Sequence, residues 1–298
     1  MLLTVNDLTI ETLDKHKFLN KVLVKRFVKH NIENLTDYCP GEENLLISLA
    51  TGLSYPQLIL FKDFDKGLLK KIKKFLIRRL EHMPLNKIAK KAYFYLDEFY
   101  INNFVLAPRK ETELLVENVL KYINKSNNKK SNILDLCCGS GAIGLTIAKY
   151  CEKPYNIVLA DISTKALKVA EKNQIKLDLL NNVTLQKSNM FRDLKMDNKF
   201  DIIVSNPPYI KTGDLVNLDK SVKRYDPKKA LDGGVDGLKF YKEIAKNAKN
   251  YLSEDGCLFL EIGYDQAKDV QKILLNDFDT KVYKDYSNND RIIYAKLK

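Results

Sequence analysis

The sequence predicts an α/β fold in which a mostly parallel sheet follows a small N-terminal helical domain. After residue 106, short apolar runs typical of buried strands alternate with amphipathic helical segments, which is the pattern of a parallel sheet covered on both faces. Before residue 80, apolar side chains recur at near-helical spacing instead. A length of 298 residues and an apolar fraction of 45% are sufficient for two domains with a sizeable core.

The second part of the chain predicts a seven-stranded, Rossmann-like sheet. We expect its strands at 132–136, 157–161, 183–186, 201–205, 257–262, 281–284 and 291–296. We expect its helices at 111–124, 141–151, 164–176, 238–252 and 265–276.

The first 80 residues predict helices, of which 66–81 is the most basic. Its apolar positions form one stripe, made of Leu69, Ile72, Leu76 and Leu80. The lysines and arginines beside that stripe indicate either a partner-binding helix or a solvated face over packed side chains, and we favour the solvated face.

A predicted hairpin separates the two parts. Pro84 ends the helical part, and the apolar runs 92–96 and 99–101 predict two short strands. The expected organisation is therefore a helical domain at 1–80, a linker with a hairpin at 81–106 and a second domain at 107–298.

Composition narrows the compartment and the partners. The formal net charge of +12 reflects either solubility or an acidic partner. The 5 cysteines form no CxxC pair and the 3 histidines are scattered, so we expect a reducing compartment and no metal site. No apolar run approaches the roughly 20 residues that span a membrane, and the N-terminus does not resemble a signal peptide. We therefore expect a cytosolic protein without a membrane partner.

A Gly-rich loop follows the first strand of the alternating part, at Asp135-Leu136-Cys137-Cys138-Gly139-Ser140-Gly141. Ligands of open parallel sheets bind beyond the carboxyl ends of the strands. Gly139 and Gly141 permit a tight turn and a close approach to a ligand, and the following helix N-terminus presents free N–H groups. The loop lacks a complete G-x-G-x-x-G and the Lys-Ser/Thr of a P-loop, which disfavours dinucleotides and triphosphates. Cys137 and Cys138 have no evident basic partner, so we interpret them as loop residues rather than nucleophiles.

Asp161 ends the second strand of this part. A carboxylate at this place can accept both hydroxyls of a ribose, or it can cap the helix that begins near Thr164. We favour ribose binding because the Gly-rich loop stands at the matching place before it, and Ile162 follows in the same loop. After the third strand, Asn189 or Met190 would border an adenine ring.

The fourth strand runs directly into Asn206-Pro207-Pro208-Tyr209. An amide or exocyclic amine is a poor nucleophile because its lone pair is delocalised. The Asn206 side-chain carbonyl can accept a hydrogen bond from one N–H of such an NH2 group, and the Pro207 backbone carbonyl can accept one from the other. The fixed φ angles of the two consecutive prolines restrict the direction of the Pro207 carbonyl. Tyr209 would stack on the acceptor plane or face a sulfonium. The alternative is that Pro207 and Pro208 only terminate a buried strand.

The order and spacing of these two segments predict an enzyme that uses S-adenosylmethionine and releases S-adenosylhomocysteine. Acceptors that polarise a planar NH2 group stabilise the positive charge that develops on its nitrogen during methyl transfer. No strong base is required, because the methylated nitrogen loses a proton readily.

At these residues the chain resembles the HemK/PrmC-type protein-(glutamine-N5) methyltransferases, which modify peptide-chain release factors. The resemblance covers nearly the whole chain and includes 106–113, which looks like the family's PRxETE motif, 135–143, 161–163, 206–210, 225–227, 230–237 and 261–266. The NPPY turn is shared with adenine-N6 methyltransferases, whereas the PRxETE and GGxDG segments are more specific to the glutamine enzymes.

The resemblance implies a class I S-adenosylmethionine-dependent methyltransferase fold, a helical N-terminal substrate-recognition domain and a release factor's Gly-Gly-Gln glutamine as acceptor. The expected cofactor contacts are Asp135, Cys137, Cys138, Gly139, Ser140, Gly141, Asp161, Ile162, Asn189, Met190 and Asn206. The expected catalytic and substrate contacts are Asn206, Pro207, Pro208 and Tyr209, while Glu111 and Glu113 either contact substrate or brace the fold.

The chain departs from the family's usual residues at a few motif positions. Lys110 replaces the usual Pro, Asn189 and Asp226 replace the usual Asp and Glu, and Cys137-Cys138 replaces Gly-Thr. None of these changes removes an expected catalytic group.

Three other functions stay open at this point. A sibling branch methylates a ribosomal-protein glutamine with the same residues. Adenine-N6 methylation of RNA or DNA is favoured by the net charge and by the basic helix, but it should bring a target-recognition segment that we do not find. A catalytically silent binding protein is disfavoured by the intact motifs. We expect class I release factors as partners, a monomer, no requirement for nucleic acid, and a bacterial cytoplasm or an organellar matrix.

Overall fold

The computed structural model describes residues 3–126, 130–195 and 199–298. The chain forms two compact units. The first contains the described residues up to Lys90 together with Asp219–Tyr225, and the second contains Lys91–Leu218 and Asp226–Lys298. The chain therefore leaves the second unit once and returns to it after Tyr225.

The helices and strands are numbered in chain order. The helices are α1 (Lys21–Ile32), α2 (Glu42–Thr51), α3 (Tyr55–Leu60), α4 (Lys66–Leu80), α5 (Leu85–Ala89), α6 (Lys110–Lys125), α7 (Ala142–Tyr150), α8 (Thr164–Lys176), α9 (Lys220–Tyr225), α10 (Lys239–Asn247) and α11 (Ala267–Leu274). The strands are β1 (Phe18–Asn20), β2 (Asp63–Asp65), β3 (Lys91–Phe94), β4 (Asp97–Tyr100), β5 (Ser131–Leu136), β6 (Tyr155–Asp161), β7 (Val183–Lys187), β8 (Phe200–Ser205), β9 (Leu252–Glu261), β10 (Phe278–Lys284) and β11 (Asp290–Leu297).

The first unit is built mainly from α1 to α5 and contains a two-stranded sheet that the sequence pattern missed. The strands β1 and β2 pair antiparallel, with Leu19 opposite Phe64. Each strand is three residues long and buries only its central side chain. A run this short is too brief to display an alternating pattern, so helical spacing on either side of it dominates the prediction.

Helix α4 confirms the predicted apolar stripe, but not all of its basic residues face solvent. Leu69, Ile72 and Leu76 are fully buried. Arg79 is also buried and forms ion pairs with Asp37, at 2.8 Å, and with Glu42. Arg79 is therefore part of the packed side of the helix, where two carboxylates compensate its charge.

The first unit extends beyond residue 80, where we placed the domain boundary. Leu85 and Ile88 of α5 pack into the same apolar cluster as α4, so the unit runs to Lys90. The hairpin of β3 and β4 belongs to the second unit, where Phe94 and Phe99 pack with α6 and the central sheet.

The second unit is organised around a seven-stranded sheet with the order β10-β11-β9-β8-β5-β6-β7. Every neighbouring pair is parallel except those made by β11, which is antiparallel to β9 and β10. The strand order reverses between β5 and β8, and this reversal opens a crevice at the carboxyl ends of the two strands. The seven-stranded, mostly parallel sheet predicted from the sequence is confirmed.

Strands β5 and β8 bury both faces over most of their length, which explains why apolar residues stand at consecutive positions such as 133–134 and 202–204. Ile133 and Ile202 pack into the cluster that includes α6 and α7, while Leu134 and Ile203 pack into the cluster that includes α10 and α11. Consecutive side chains of a strand point to opposite faces, so one apolar run supplies two cores.

Strand β9 begins five residues before the predicted start at 257. Its first residues include Ser253, Glu254 and Asp255, which are not buried, and the register with β8 shifts near Phe200. The polar start concealed this part of the strand. Among the described residues, no helix is both long and apolar enough to cross a membrane.

Candidate active site

A cavity of about 1280 Å³ lies in the second unit, at the carboxyl ends of the central strands. The loops that follow β5, β6, β7 and β8 contribute to its wall, as do the start of α6 and the 227–243 segment. The crevice predicted at the strand reversal is therefore present, and the polar residues expected there meet in it.

The Gly-rich loop reverses the chain between β5 and α7. Cys137, Gly139 and Gly141 have φ angles of 63°, 55° and 77°, all in the left-handed region. A Cβ at Gly141 would lie 2.9 Å from Leu145, so this position requires glycine for space as well as for conformation. Residues Cys137 to Ser140 line the cavity, and α7 begins immediately behind them.

Asp135 supports this loop from behind. The side chain is fully buried, and its Oδ2 accepts a hydrogen bond of 2.8 Å from the backbone N–H of Gly144 in the first turn of α7. Burial raises the pKa of Asp135 to about 7. Neither Asp135 nor Gly141, both expected to contact the cofactor, belongs to the cavity wall formed by the described residues.

The two thiols of the loop are protonated at neutral pH. Burial raises the pKa of Cys137 and Cys138, and the nearby carboxylates of Asp135 and Asp161 act in the same direction. A thiol with a raised pKa is a poor nucleophile, which agrees with their interpretation as loop residues.

Asp161 joins the loops that follow β5 and β6. Its Oδ2 accepts a hydrogen bond of 2.9 Å from the Gly139 N–H, and its Oδ1 accepts one of 2.8 Å from the Ser163 N–H. The cap of α8 is Ser163, whose Oγ accepts from the Ala166 N–H, so Asp161 is not the capping residue. The carboxylate of Asp161 and the 48% exposed side chain of Ile162 both line the cavity.

The segment after β7 places Asn189 and Met190 in the cavity wall. Met190 is buried with a φ of 52°, and its Sδ lies 3.7 Å from Cys137 Sγ. Asn189 is exposed, and its backbone N–H donates to Asp193. Both residues expected near an adenine ring therefore border the same cavity as the Gly-rich loop.

The Asn-Pro-Pro-Tyr turn follows β8 and contributes two of its residues, Asn206 and Pro208, to the cavity wall. Pro207 is buried, and Tyr209 packs against the apolar cluster of α10 and α11. Burial raises the pKa of Tyr209, so the phenol is neutral. The expected contact of Tyr209 with substrate or with a sulfonium stays a prediction.

Thr112, which the sequence interpretation overlooked, connects this turn to a buried carboxylate. The Asn206 Nδ2 donates to Thr112 Oγ1 at 3.3 Å, and Thr112 Oγ1 donates to Glu261 Oε2 at 2.7 Å. Thr112 and Glu261 are 4% and 1% exposed. Helical spacing could have identified Thr112, because it shares the buried face of α6 with Leu115, Val116 and Val119.

The two glutamates of the same motif lie outside the cavity wall that the described residues form. Glu113 accepts a hydrogen bond of 2.8 Å from the backbone N–H of Tyr95, which has a positive φ of 57° in the β3–β4 turn. Glu111 is exposed in the first turn of α6. Of the two alternatives, the position of Glu113 favours bracing of the fold.

Comparison with known proteins gives a consistent assignment. Residues 110–221 match the model of the "Methyltransferase small domain" family. The release factor glutamine methyltransferase of Clostridium acetobutylicum is 39% identical over 236 residues, which cover 78% of this chain and 82% of that protein. The protein of the same name from Fusobacterium nucleatum subsp. nucleatum is 42% identical, over 82% of this chain and 68% of that protein. The one from Thermodesulfovibrio yellowstonii is 42% identical, over 74% of this chain and 79% of that protein.

The chain belongs to the release factor glutamine methyltransferase family. The resemblance inferred from the NPPY, PRxETE and GGxDG segments is therefore confirmed. The departures from the family's usual residues include Asn189 and the Cys137-Cys138 pair in the cavity wall, and Lys110 at the exposed start of α6.

The GGxDG segment contributes Gly234 and Val235 to the cavity wall, and close packing explains its glycines at 233 and 237. Ile210 donates to the Leu231 carbonyl at 2.9 Å and accepts from the Gly233 N–H at 2.7 Å. A Cβ at Gly233 would lie 2.7 Å from Tyr209 Cα, and one at Gly237 would lie 2.5 Å from the Tyr209 oxygen. The wall is therefore built directly onto the Asn-Pro-Pro-Tyr turn, with no space for side chains between them.

Gln266 forms hydrogen bonds to both the Asn-Pro-Pro-Tyr turn and the GGxDG segment. Its Nε2 donates to the Tyr209 carbonyl at 3.0 Å and to the Gly237 carbonyl at 3.3 Å, and its Oε1 accepts from the Gly263 N–H. Gln266 is 5% exposed, so water does not compete for the hydrogen bonds of its side-chain amide.

Proposed function

We propose that this chain transfers a methyl group from S-adenosylmethionine to the side-chain N5 of the glutamine in the Gly-Gly-Gln motif of a class I peptide-chain release factor. The observation that carries the proposal is the position of the Asn206 carboxamide, at the end of β8 and in one cavity with the Gly-rich loop. Family membership and the names of the relatives support the choice of acceptor.

The residues of the cavity fit a nucleoside cofactor of this kind. The glycine conformations at 139 and 141 bring the backbone and the N-terminus of α7 to the cavity, where a ligand carboxylate would be favoured. Asp161 would hold the ribose hydroxyls with its remaining lone pairs, while Ile162, Asn189 and Met190 would border the adenine. Asp135 and Gly141 would act through the shape of the loop. When bound, the cofactor supplies an electrophilic methyl group on a sulfonium.

The volume of the cavity supports two ligands. Pockets that bind one drug-sized ligand have volumes of about 300–1000 Å³, and the cavity of about 1280 Å³ exceeds that range. The Gly-rich loop, Asp161 and Asn189 would surround the donor. The turn at Asn206 and the segment around Gly234 would surround the acceptor loop.

The protein's own part in the reaction is to bind and polarise the acceptor amide. The Asn206 Oδ1 and the Pro207 carbonyl would accept its two N–H groups, and Pro208 would fix the direction of the second acceptor. These oxygens stabilise positive charge on the nitrogen and hold it in line for transfer. The methylated nitrogen then loses its proton without a dedicated base.

The remaining parts of the proposal concern the whole chain. The first unit, which runs to Lys90 and includes Asp219–Tyr225, would recognise the release factor, and the second unit would carry the methyltransferase site. We propose that the chain acts as a monomer in the cytoplasm.

A labelling experiment tests this function. The purified chain is incubated with methyl-labelled S-adenosylmethionine and a class I release factor, and the modified residue is located by peptide mass spectrometry. We expect label on the Gly-Gly-Gln glutamine, and none on a matched release factor in which that glutamine is alanine. Label found only on ribosomal protein or only on nucleic acid would refute the choice of acceptor.

A further inference from the structure

We infer that Thr112 and Glu261 are positioning residues that hold the Asn206 carboxamide in one of its two orientations, with its oxygen toward the acceptor amide. This inference rests on the proposed function, because the orientation matters only if Asn206 Oδ1 must accept an N–H from substrate. It assigns a role to a hydroxyl and a carboxylate that do not themselves meet the reacting atoms.

The argument begins with the count of protons in the hydrogen-bonded chain. An ionised carboxylate only accepts, and a threonine hydroxyl has a single proton. At 2.7 Å from Glu261 Oε2, Thr112 Oγ1 donates that proton to the carboxylate. The hydroxyl oxygen can then only accept from its other neighbour, the Asn206 carboxamide 3.3 Å away.

This proton count selects the orientation of the amide. With Nδ2 toward Thr112, the Asn206 side chain donates to an oxygen that needs a donor, and Oδ1 lies on the opposite branch of the group. No described residue donates to that oxygen, and Asn206 lines the cavity. A rotated carboxamide would place two acceptors against each other at a site where Thr112 and Glu261 are almost completely buried.

The sheet brings these groups together from distant parts of the sequence. Ser205 of β8 pairs with Leu260 of β9, so the next residues, Asn206 and Glu261, follow at the ends of adjacent parallel strands. Thr112 reaches them from the first turn of α6. A carboxylate at this position of β9 is otherwise unexplained, because burying one is costly.

The surroundings of Glu261 give the inference a pH dependence. Burial raises the pKa of Glu261, whereas hydrogen bonds and the cations of Arg109 and Arg291 act against that increase. Tyr209 and Tyr241 are the other titratable groups that face it, and both stay neutral because burial raises their pKa. A protonated Glu261 can donate, which would release the Thr112 proton and allow the amide to rotate. The turnover rate should therefore fall as the pH falls through the pKa of Glu261.

Substitutions at Thr112 test the inference most directly. Thr112→Val keeps the shape and removes the hydroxyl, and we expect it to lower kcat by about 100-fold, the loss typical of a misdirected reacting group. The cofactor Kd should not change, since the Gly-rich loop and Asp161 are untouched. Thr112→Ser restores the hydroxyl and should recover most of the turnover, which a purely packing role of the lost methyl group does not predict.

Glu261→Gln tests the direction of the hydrogen bonds. A carboxamide at 261 can donate to Thr112 and thereby free the Thr112 proton, so we expect a loss in kcat similar to that of Thr112→Val and a flatter acid limb of the pH profile. The double variant T112V/E261Q should be no slower than either single variant, because all three variants break the same chain of hydrogen bonds from Asn206 through Thr112 to Glu261. If the losses in kcat of the two single variants added up in the double variant, Thr112 and Glu261 would have independent roles and the inference would be overturned.

A measurement on the protein without cofactor provides a second readout. The side-chain NH2 resonance of Asn206, assigned by its disappearance in Asn206→Ala, should shift in Thr112→Val and return in Thr112→Ser. The controls separate the two proposals. A wild-type protein that does not methylate release factor contradicts the proposed function. An active wild type whose Thr112→Val variant retains full kcat and an unshifted resonance contradicts the positioning role alone.

Discussion

Gly144→Ala is the substitution for which the structure gives the sharpest expectation of instability. Gly144 is the third residue of α7, and its backbone N–H binds the buried carboxylate of Asp135. An added Cβ would lie 2.2 Å from Leu159 Cδ2 and 3.0 Å from Asp135 Oδ2. Leu159 of β6 is fully buried, so it cannot move without disturbing the core.

The expected magnitude follows from two opposing contributions. Overpacking of a core costs about 1–3 kcal/mol, and contact at this distance belongs at the upper end. Alanine in place of glycine inside a helix recovers about 1 kcal/mol. We therefore expect a decrease of about 2 kcal/mol in the free energy of unfolding, or about 4–8 °C in Tm for a domain of this size.

Thermal unfolding followed by circular dichroism measures this effect, with Gly213→Ala as the matched control. A Cβ at Gly213 meets no atom within 4 Å, and its φ is not in the left-handed region, so this variant should melt within about 0.5 kcal/mol of wild type. If Gly144→Ala melted at the same temperature as the Gly213→Ala control, the argument that α7 packs this closely on the sheet would be refuted.

Three further predictions concern single side chains. Asn206→Ala should lower kcat by about 100- to 1000-fold, while the cofactor affinity measured by calorimetry stays mostly intact because the Gly-rich loop and Asp161 are unchanged, and normal turnover would disprove its role. Glu113→Ala should reduce stability by about 1–2 kcal/mol because the Tyr95 N–H loses its acceptor, whereas Glu113→Gln keeps it. A fall in kcat without a fall in Tm would instead indicate that Glu113 contacts substrate. The pKa of Asp135 is about 7 in the folded protein, compared with an ordinary value of 3.8. Between these two pH values the folded state holds a proton that the unfolded state has lost, so the free energy of unfolding should decrease as the pH rises. Asp135→Asn should flatten that decrease, and an unchanged pH profile of Tm would contradict it.

The central strands and the Gly-rich loop could be predicted because their causes are local. Strands β5 and β8 are buried on both faces over most of their length and therefore carry consecutive apolar residues, as at 133–134 and 202–204. The glycines at 139 and 141 adopt left-handed conformations, which few other residues tolerate. Asp161, Asn189 and Asn206 were predictable because parallel strands end at one edge of the sheet.

The residues that the sequence did not indicate owe their roles to contacts between distant segments. Thr112 becomes significant only when α6 places it between Asn206 and Glu261. Gly233 has an ordinary conformation, and only its closeness to Tyr209 explains it. Helical spacing marks Thr112 as a buried position of α6, but it does not relate Thr112 to Asn206 or Glu261, because the folded sheet alone determines which residues meet.

The segment Asp219–Tyr225 has a consequence for anyone who wishes to isolate the catalytic half. It packs with the first unit, where Tyr225 is 6% exposed and its hydroxyl donates to the Glu81 carbonyl at 2.9 Å. A fragment that starts at Lys91 would keep Asp219–Tyr225 but lose the rest of the first unit, with which this segment packs. The ring of Tyr225 would then be exposed to water. Removing the first unit completely would therefore require deletion of Asp219–Tyr225 as well as of the residues up to Lys90.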